Sequence, residues 1–329
     1  MEDNLPNVSI VVIGKNEAEN LETTFNAIEN IEYPKSKLEV IYVDTGSTDS
    51  SVRIARQYTD KVFEEHSVWP SSGLARNRGI REARHDIIHF IDGDIAIHPD
   101  YLKKAIEKIT KPDVDAVTGY FEERNLKSFF NRIMNIRRDD IEHREHFCES
   151  TNGGGTYIKK ALIAVDGYDE RILKGQESEL GYRFRNAGYK ILFIDVLQGI
   201  HNFDLNGFID FFKSNYRYGQ SSGFILKLKD DINPFISNMK KTANRIVIEN
   251  TILLLMVFIS ILMTQYWLIL MYLLFRFTYI IFKNKIIRKN SNRKLKYSMI
   301  QYIFSFAVYL GIVGIIFNPK YSSVQKQRL

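Results

Sequence analysis

Residues 87–94 read Ile-Ile-His-Phe-Ile-Asp-Gly-Asp, an apolar run that ends in two carboxylates separated by a glycine. The run predicts a buried strand of a parallel sheet, apolar on both faces. Ligands of open α/β sheets bind beyond the carboxyl ends of the strands, so Asp92 and Asp94 are expected beside a ligand. Two hard oxygen ligands at a strand end suit Mg²⁺ or Mn²⁺ carrying a diphosphate. The same residue types also form ordinary turns, so this stretch alone leaves both interpretations open.

Two more strand-and-helix units precede this stretch. Residues 8–13 and 38–43 are short apolar runs rich in β-branched residues, and a helical pattern follows each of them. This alternation predicts βαβ units around a parallel sheet. Neither a G-x-G-x-x-G after the first strand nor a G-x-x-x-x-G-K-[ST] occurs, so the sequence lacks the dinucleotide and P-loop fingerprints.

Two polar residues near these strands are candidates for ligand binding. Asp44 follows the second strand at the same sheet edge as Asp92, where it could accept hydrogen bonds from a base or a ribose. It could equally form a helix cap or an Asx-turn. Arg76 lies in the helix before the central strand, and its guanidinium fork suits a phosphate, or it is simply solvated.

The charge of the chain is unevenly distributed. From Lys240 onward the sequence has 14 Lys and Arg residues and one acidic residue, which gives +13 there and leaves −7 of the net +6 for the preceding part. Because these basic residues lie between apolar stretches, they predict contact with membrane lipids and not with nucleic acid. Residues 1–4 are polar and acidic, unlike a signal peptide, and the single cysteine, Cys148, fits a reducing compartment.

The C-terminal part predicts a helical membrane domain over residues 231–329, after a catalytic domain of residues 1–230. Spans are predicted at about 246–263, 266–282 and 297–317, because each apolar stretch approaches the roughly 20 residues that cross a bilayer. Seven basic residues within 283–296 place that loop in the cytosol. The expectation is therefore a multi-pass protein of the cytoplasmic membrane whose catalytic domain faces the cytosol.

Four motifs together resemble those of the family 2 glycosyltransferases, which have the GT-A fold. They occupy residues 8–17, 44–49, 75–79 and 92–94 in the family's order, and the likeness extends to about residue 223. The resemblance implies an α/β, Rossmann-like catalytic domain with a mostly parallel sheet. It also implies a nucleotide-sugar donor and a divalent metal, Mn²⁺ or Mg²⁺.

The resemblance assigns roles to individual residues. In the family, the first aspartate binds the base and the Asp-x-Asp pair binds the ribose and the metal-bound diphosphate. The donor-binding residues implied here are Asp44, Arg76, Asp92 and Glu17. The metal ligands implied here are Asp94, Asp92 and His201, the last because a histidine near this point completes the metal site in some GT-A enzymes.

A second chemical stretch surrounds Leu180 and Arg183. Aligned on these two residues, the family's catalytic aspartate falls on Glu177 and the glutamate before it on Gln176, so both positions depart from the common pattern. A glutamate retains the carboxylate of a general base and adds a methylene. Glu179 and Arg183 are spaced to form a surface ion pair on a helix. Glu177 has no basic residue three or four positions later, which predicts a carboxylate that is freer to act as a base.

Residues 207–218 predict a helix at the membrane surface, because they contain Phe208, Phe211 and Phe212 together with Lys213, although core packing fits equally well. Residues 215–219 resemble the place where processive relatives carry Gln-x-x-Arg-Trp. The glutamine and tryptophan are missing, whereas Arg217 fits, which makes it a further donor-binding candidate.

The combined prediction is a membrane-bound, inverting, metal-dependent glycosyltransferase. It would move a sugar from a nucleotide-sugar donor to a polyprenyl-linked or surface-glycan acceptor. Two alternatives stay open: a processive polysaccharide synthase, and a non-catalytic membrane protein that keeps the fold as a nucleotide-sugar-binding module.

Overall fold

The computed structural model describes residues 5–67, 70–124, 143–202, 207–227, 234–262, 271–272, 274 and 305–316. The chain divides into two compact units, and the division falls between Asp204 and Leu205. The second unit runs to Ser322. The helix predicted near 207–218 was assigned to the catalytic domain, whereas this division places it in the second unit.

The described residues of the first unit form a sheet flanked by helices. The strands are β1 Val8–Gly14, β2 Leu38–Asp44, β3 Val62–Glu64, β4 Ile87–Asp92, β5 Ile95–Ile97, β6 Ala116–Glu123, β7 His146–Phe147, β8 Gly155–Ile158 and β9 Ile191–His201. The helices are α1 Ala18–Glu29, α2 Ser51–Ala55, α3 Ser72–Glu82, α4 Tyr101–Ile109, α5 Lys159–Ala164 and α6 Gln176–Asn186.

The strands pair in the order β3-β2-β1-β4-β8-β6-β9-β5, and β7 pairs with β9. β1 is parallel to both β2 and β4, and β2 is parallel to β3, which confirms the predicted βαβ units. Beyond β4 the sheet is mixed, because β8 runs antiparallel to both β4 and β6 while β9 runs parallel to β6. The sequence prediction of a GT-A-type α/β sheet is confirmed, with its parallel part confined to the first half and the β6–β9 ladder.

The central strands are apolar on both faces because helices cover both sides of the sheet. On one face Ile10 and Val12 of β1 pack in a core that includes residues of α1 and α4. On the other face Val11 and Ile13 pack in a core that includes residues of α3 and α6. Each large apolar side chain that is fully buried in this way stabilises the fold by about 1.5–3 kcal/mol.

A glycine allows α3 to lie directly on β1. A Cβ atom at Gly79 would come within 2.3 Å of Cγ1 of Val11, closer than any real side chain is found. Ser71 caps the start of α3 by accepting a hydrogen bond from the amide of Leu74 at 3.1 Å. Because α3 packs so closely on β1 and its start is fixed by the cap, the middle of α3 lies beside the end of β4.

The second unit contains three described helices, α7 Phe208–Lys227, α8 Pro234–Leu262 and α9 Ser305–Ile316. Glycines bring α7 and α9 into backbone contact. A Cβ at Gly219 would lie 2.0 Å from the carbonyl oxygen of Val308, and one at Gly311 would lie 2.1 Å from that of Tyr216. The buried Ala243 of α8 packs on the same cluster as Val308.

Among the residues that the structure describes, one helix is long and apolar enough to cross a membrane, Ile236–Ile259 within α8. Its side chains include the strongly exposed Ile248, Leu255 and Phe258. It overlaps the first predicted span but begins about ten residues earlier. The second predicted span and the basic loop at 283–296 lie almost wholly outside the described residues. The third is described only as the short helix α9, so the multi-pass arrangement stays a prediction.

Candidate active site

Arg76 joins the end of β4 to the start of α6. Its guanidinium is buried, with 1% of the side chain exposed. One terminal nitrogen, Nη2, donates to Oδ1 of Asp92 and to the carbonyl of Gly153, both at 2.8 Å. The other, Nη1, donates to Oε1 of Glu177 at 2.9 Å and to Oε1 of Gln176 at 3.3 Å. One side chain therefore holds the β4 carboxylate and the α6 carboxylate together.

This geometry excludes one alternative and corrects one expectation. The side chain of Arg76 is not solvated, and its contact with a donor stays a prediction, whereas Glu177 does have a basic partner. That partner lies 101 positions earlier in the chain, so the local spacing along α6 could not reveal it. The other departure from the family pattern, Gln176, is also buried, and its amide oxygen accepts from the same arginine.

Asp94 and His201 meet because of strand pairing. β5 pairs antiparallel with β9 so that Ile95, next to Asp94, lies opposite His201. Nε2 of His201 lies 3.2 Å from Oδ2 of Asp94, and both side chains are partly exposed. Burial alone would raise the pKa of Asp94, but the hydrogen bond and charge of His201 lower it overall. The structure thus brings together two of the three predicted metal ligands.

Glu17 completes an acidic group at this sheet edge. It precedes α1, and its Oε2 accepts a hydrogen bond from Asn20 at 3.2 Å. Burial, and then the negative charges of Asp94 and Asp92, raise the pKa of Glu17 to about 7. Burial also raises the pKa of Asp92 to about 6, against the opposing charge of Arg76. In both groups burial is the main cause of the raised pKa, and the neighbouring carboxylates add to it.

The residues at this edge fit a divalent cation in their chemistry. Carboxylate oxygens and an imidazole nitrogen are ligands that Mn²⁺ and Mg²⁺ accept, and a cation would offset the repulsion between the carboxylates at this edge. Within the described ranges, however, no group of three or more His, Cys, Asp or Glu side chains is arranged to hold a metal ion. Asp94 and His201 would therefore supply only part of a coordination shell, and the remainder would have to come from substrate and water.

Asp44 is engaged in the turn that follows β2. Its Oδ2 accepts hydrogen bonds from the amides of Gly46 at 2.8 Å and Ser47 at 2.7 Å, and the hydroxyl of Tyr42 lies 3.2 Å from Oδ1. Of the two interpretations that the sequence left open, the Asx-turn is the one these contacts display. Its binding to a nucleotide base stays a prediction.

The glycine triplet at 153–155 is packed tightly against β4. Gly153 has φ +61°, which favours glycine, and its carbonyl accepts from Arg76. A Cβ at Gly154 would lie 2.7 Å from the carbonyl oxygen of Phe90. The triplet is therefore built into the wall around Asp92.

The structure also locates a predicted ion pair and one further candidate for donor binding. Glu179 and Arg183 form the predicted ion pair at 2.6 Å, but Glu179 is buried, so it is not a surface pair. Arg183 also donates to the carbonyl of Gly167 at 2.7 Å. Arg217 lies exposed on α7 in the second unit, and its role in donor binding stays a prediction.

Sequence reasoning missed Asn77, which is fully buried beside Arg76 and bonds to the chain that leads into α6. Asn77 directly follows Arg76 in α3, and a buried amide side chain inside a helix needs several hydrogen-bond partners. Its position in the sequence was therefore a signal that could have pointed to this role.

Comparison with known proteins identifies similar sequences and folds. Residues 9–167 match the family model described as Glycosyl transferase family 2. Glycosyltransferase AglE of Haloferax volcanii is 27% identical over 232 residues, which cover 67% of this chain and 74% of AglE. Poly-beta-1,6-N-acetyl-D-glucosamine synthase of Staphylococcus aureus is 24% identical over 200 residues. That match covers 57% of this chain and 48% of the synthase, so the chain spans about half of its length.

A solved structure has the same fold. The mannosyltransferase PcManGT of Pyrobaculum calidifontis, in complex with GDP-Man and Mn²⁺, superposes with a TM-score of 0.57. The match covers 95% of this chain and 88% of the mannosyltransferase, at 16% sequence identity. At that identity the likeness concerns the fold alone.

Proposed function

Because residues 9–167 match the family model of glycosyl transferase family 2, we propose that this chain is an inverting, metal-dependent glycosyltransferase. Its donor would be a nucleotide-sugar and its acceptor a hydroxyl group of a polyprenyl-linked sugar or a surface glycan. Glu177 would act as the general base, and the residues around Asp92 and Asp94 would bind the donor.

One observation carries the proposal. Asp92 is the first residue of the Asp-x-Asp motif that is expected to hold the donor, and Glu177 stands where the family has its base. Both contact the guanidinium of Arg76. These carboxylates lie 85 positions apart in the sequence, so their meeting at one side chain is a property of the fold. A reaction between a donor and an acceptor needs this proximity, because aligned reactants convert an encounter into an intramolecular step.

Glu177 has the geometry of a base that is held in place. Arg76 fixes its Oε1, and within the described part of the chain Oε2 makes no hydrogen bond or ion pair. The side chain is 23% exposed, so an acceptor hydroxyl can reach it. Removal of the hydroxyl proton by Oε2 would let the oxygen attack the anomeric carbon from the face opposite the leaving diphosphate. A single displacement of this kind inverts the configuration.

The acidic group at the end of β4 would hold the donor. Asp94 and His201, with Asp92 beside them, are the residues that would hold a divalent metal. When bound, that metal supplies Lewis-acid stabilisation to the departing diphosphate. Asp44 would accept hydrogen bonds from the base after its turn rearranges, and Glu17 would orient the groups around Asp94.

The apolar helix Ile236–Ile259 supports the proposed acceptor class. A membrane-anchored enzyme meets substrates that carry a lipid tail or grow at the cell surface. We place the catalytic unit on the cytosolic side, where nucleotide-sugars are available, and in contact with membrane lipids.

A second candidate is a processive polysaccharide synthase. The sequence similarity to poly-beta-1,6-N-acetyl-D-glucosamine synthase favours it, although the match covers only half of that protein. Product length distinguishes the two candidates, since a single transfer adds one sugar and a processive enzyme yields a ladder on a gel.

The test is a donor screen on the full chain in detergent micelles or lipid nanodiscs. UDP-, GDP- and dTDP-sugars are offered with Mn²⁺ or Mg²⁺, with GDP-mannose included because a protein of the same fold binds it. The expected result is thermal stabilisation and nucleotide release with one nucleotide class, both abolished by EDTA. Metal-dependent binding without any turnover would favour the non-catalytic binding module, and no metal-dependent binding to any donor would contradict the proposed function.

A matched pair of variants sharpens the screen. Asp94→Asn removes a carboxylate that lies 3.2 Å from His201, and it should abolish the metal-dependent stabilisation. Asp60→Asn makes the same chemical change at an exposed position in the loop before β3 and should leave it intact. Equal stabilisation of the two variants by metal and donor would remove Asp94 from the site.

A further inference from the structure

One face of α3 packs against the loop that leads into α6. Gly73, Arg76 and Asn77 are spaced i, i+3 and i+4, so they share this face. A Cβ at Gly73 would lie 3.3 Å from both the carbonyl oxygen of Asp169 and Cβ of Tyr168, which leaves little room for a side chain. The helix and the loop are therefore in direct contact at this glycine.

Asn77 makes three hydrogen bonds to the loop and is completely buried. Its Oδ1 accepts from the amide of Tyr168 at 2.8 Å, and its Nδ2 donates to the carbonyl of the same residue at 2.9 Å. Nδ2 also donates to Oε1 of Glu170 at 2.9 Å. An asparagine side chain that pairs with both backbone groups of one residue acts as a clamp, because it fixes the direction of the chain there.

The clamp and the base are linked through Arg76. The ring of Tyr168 packs over the guanidinium of Arg76, with 5.2 Å between the guanidinium carbon and the ring centroid. Arg76 in turn holds Gln176 and Glu177. The loop is thus tied to α3 at its beginning by Asn77 and at its end by Arg76.

A third anchor comes from α6 itself. Arg183 donates to the carbonyls of Val165 and Gly167, just before the clamped residue. Gly167 and Gly175 have φ values of +55° and +84°, so the loop turns sharply at both ends. Between these fixed points, the segment has little freedom to move without breaking a buried hydrogen bond.

We propose that Asn77 is a positioning residue for the transfer reaction, acting by clamping the loop that presents Glu177. This inference rests on the proposed function, in which Glu177 is the general base. A base that drifts by about 1 Å from its reacting position can lose a factor of about 100 in rate. The hydrogen bonds of Asn77 go to the loop and not to the acidic residues that are proposed to hold the nucleotide-sugar. Its loss should therefore lower turnover and leave binding of the nucleotide-sugar intact.

Asn77→Asp is the decisive variant, because it keeps the size of the side chain and removes its donors. An aspartate can still accept from the amide of Tyr168, but it cannot donate to the carbonyl of Tyr168, and it faces the carboxylate of Glu170. The double variant Asn77→Asp/Glu170→Gln restores one bond with its direction reversed, since the new amide donates to the new carboxylate. Asn26→Asp, at an exposed position of α1, is the matched control.

The experiment uses the full chain in nanodiscs, with GDP-mannose and UDP-GlcNAc as the two probes and Mn²⁺ present. Nucleotide release gives kcat, calorimetry gives Kd, and hydrogen–deuterium exchange follows the amides of residues 166–175. For Asn77→Asp we expect kcat to fall about 10- to 100-fold and Kd to change less than about twofold. Exchange should accelerate in residues 166–175 and not in β1 or β4, and the double variant should recover part of kcat.

The outcomes separate the two proposals. A wild-type chain that releases nucleotide from neither probe nor any other nucleotide-sugar refutes the proposed function, and the positioning role with it. A working wild type with an equally active Asn77→Asp variant overturns the positioning role alone. A variant that loses donor affinity in step with kcat, or that exchanges faster throughout the sheet, shows Asn77 to be merely structural and likewise overturns it.

Discussion

Replacing Arg76 with methionine removes the cation that joins the two carboxylates of the site. Asp92 and Glu177 lie 2.8 and 2.9 Å from its terminal nitrogens, and their side chains are 32% and 23% exposed. Removing one partner of a buried ion pair typically costs about 3–5 kcal/mol, because the remaining charge is left uncompensated. Since water partly screens both carboxylates here, we expect a loss near the lower end, about 3 kcal/mol.

A second substitution tests whether the cost comes from this contact. Glu177→Gln alone should cost about 1 kcal/mol, because its amide oxygen can still accept a hydrogen bond from Arg76. In the double variant Arg76→Met/Glu177→Gln, Asp92 no longer faces the negative charge of Glu177. The double variant should therefore be more stable than the sum of the single losses predicts, by about 1–2 kcal/mol.

Urea unfolding of the full chain in detergent micelles measures these free energies. Trp69 and Trp267 are the two tryptophans of the sequence, so a Trp267→Phe background makes Trp69, just before α3, the reporter. Arg56→Met is the control, because the Arg56–Glu64 pair is also 2.9 Å long but Arg56 is 62% exposed. That control should cost less than about 1 kcal/mol.

Two results would contradict the claim that Arg76 joins the two carboxylates of the site. Strict additivity of Arg76→Met and Glu177→Gln would show that the two side chains do not interact. A cost for Arg76→Met no larger than that of Arg56→Met would show that the buried guanidinium does not hold the site together.

Three further predictions use other parts of the first unit. Burial raises the pKa of Glu39, but hydrogen bonds, including one from Lys61, lower it overall below 4.5. Its charged form therefore stabilises the fold above that pH, and this contribution is lost as the pH falls through the lowered pKa of the folded state. Urea midpoints of wild type and Glu39→Gln should differ at neutral pH and converge at acidic pH below 4.5; a constant difference would contradict this. Gly79→Ala should destabilise by about 1–3 kcal/mol, because its Cβ would overlap Val11, and the urea midpoint measures this cost. Chelation by EDTA should remove the thermal stabilisation by donor without lowering the midpoint of the donor-free chain, as differential scanning fluorimetry would show.

The parallel half of the fold could be predicted because its signals are local. β1, β2 and β4 are short apolar runs buried on both faces, and each of them begins or ends within a residue or two of the predicted bounds. The insertion of β8 antiparallel between β4 and β6 could not be predicted in the same way. That insertion depends on contacts between residues about 70 positions apart in β4 and β8 and about 40 apart in β6 and β8, which no periodicity encodes.

The candidate site shows the same division between local and distant information. Asp92 and Asp94 were found from their position after a strand, and His201 was assigned by the family resemblance; the register of β5 with β9 then explains why it meets Asp94. The partner of Glu177 was missed, because a search three or four residues along a helix cannot find Arg76. Burial, too, is set by tertiary packing, which is why the Glu179 pair was expected at the surface.

The most direct test of the account compares Glu177→Gln with Asp94→Asn in the same donor-binding and transfer assays on the full chain. We expect Glu177→Gln still to bind the nucleotide-sugar with Mn²⁺ but to transfer at least about 100-fold more slowly, because the general base is lost. We expect Asp94→Asn to lose the metal-dependent binding itself. Near wild-type transfer by Glu177→Gln would contradict the central claim that a carboxylate of α6 activates the acceptor beside the donor held at the end of β4.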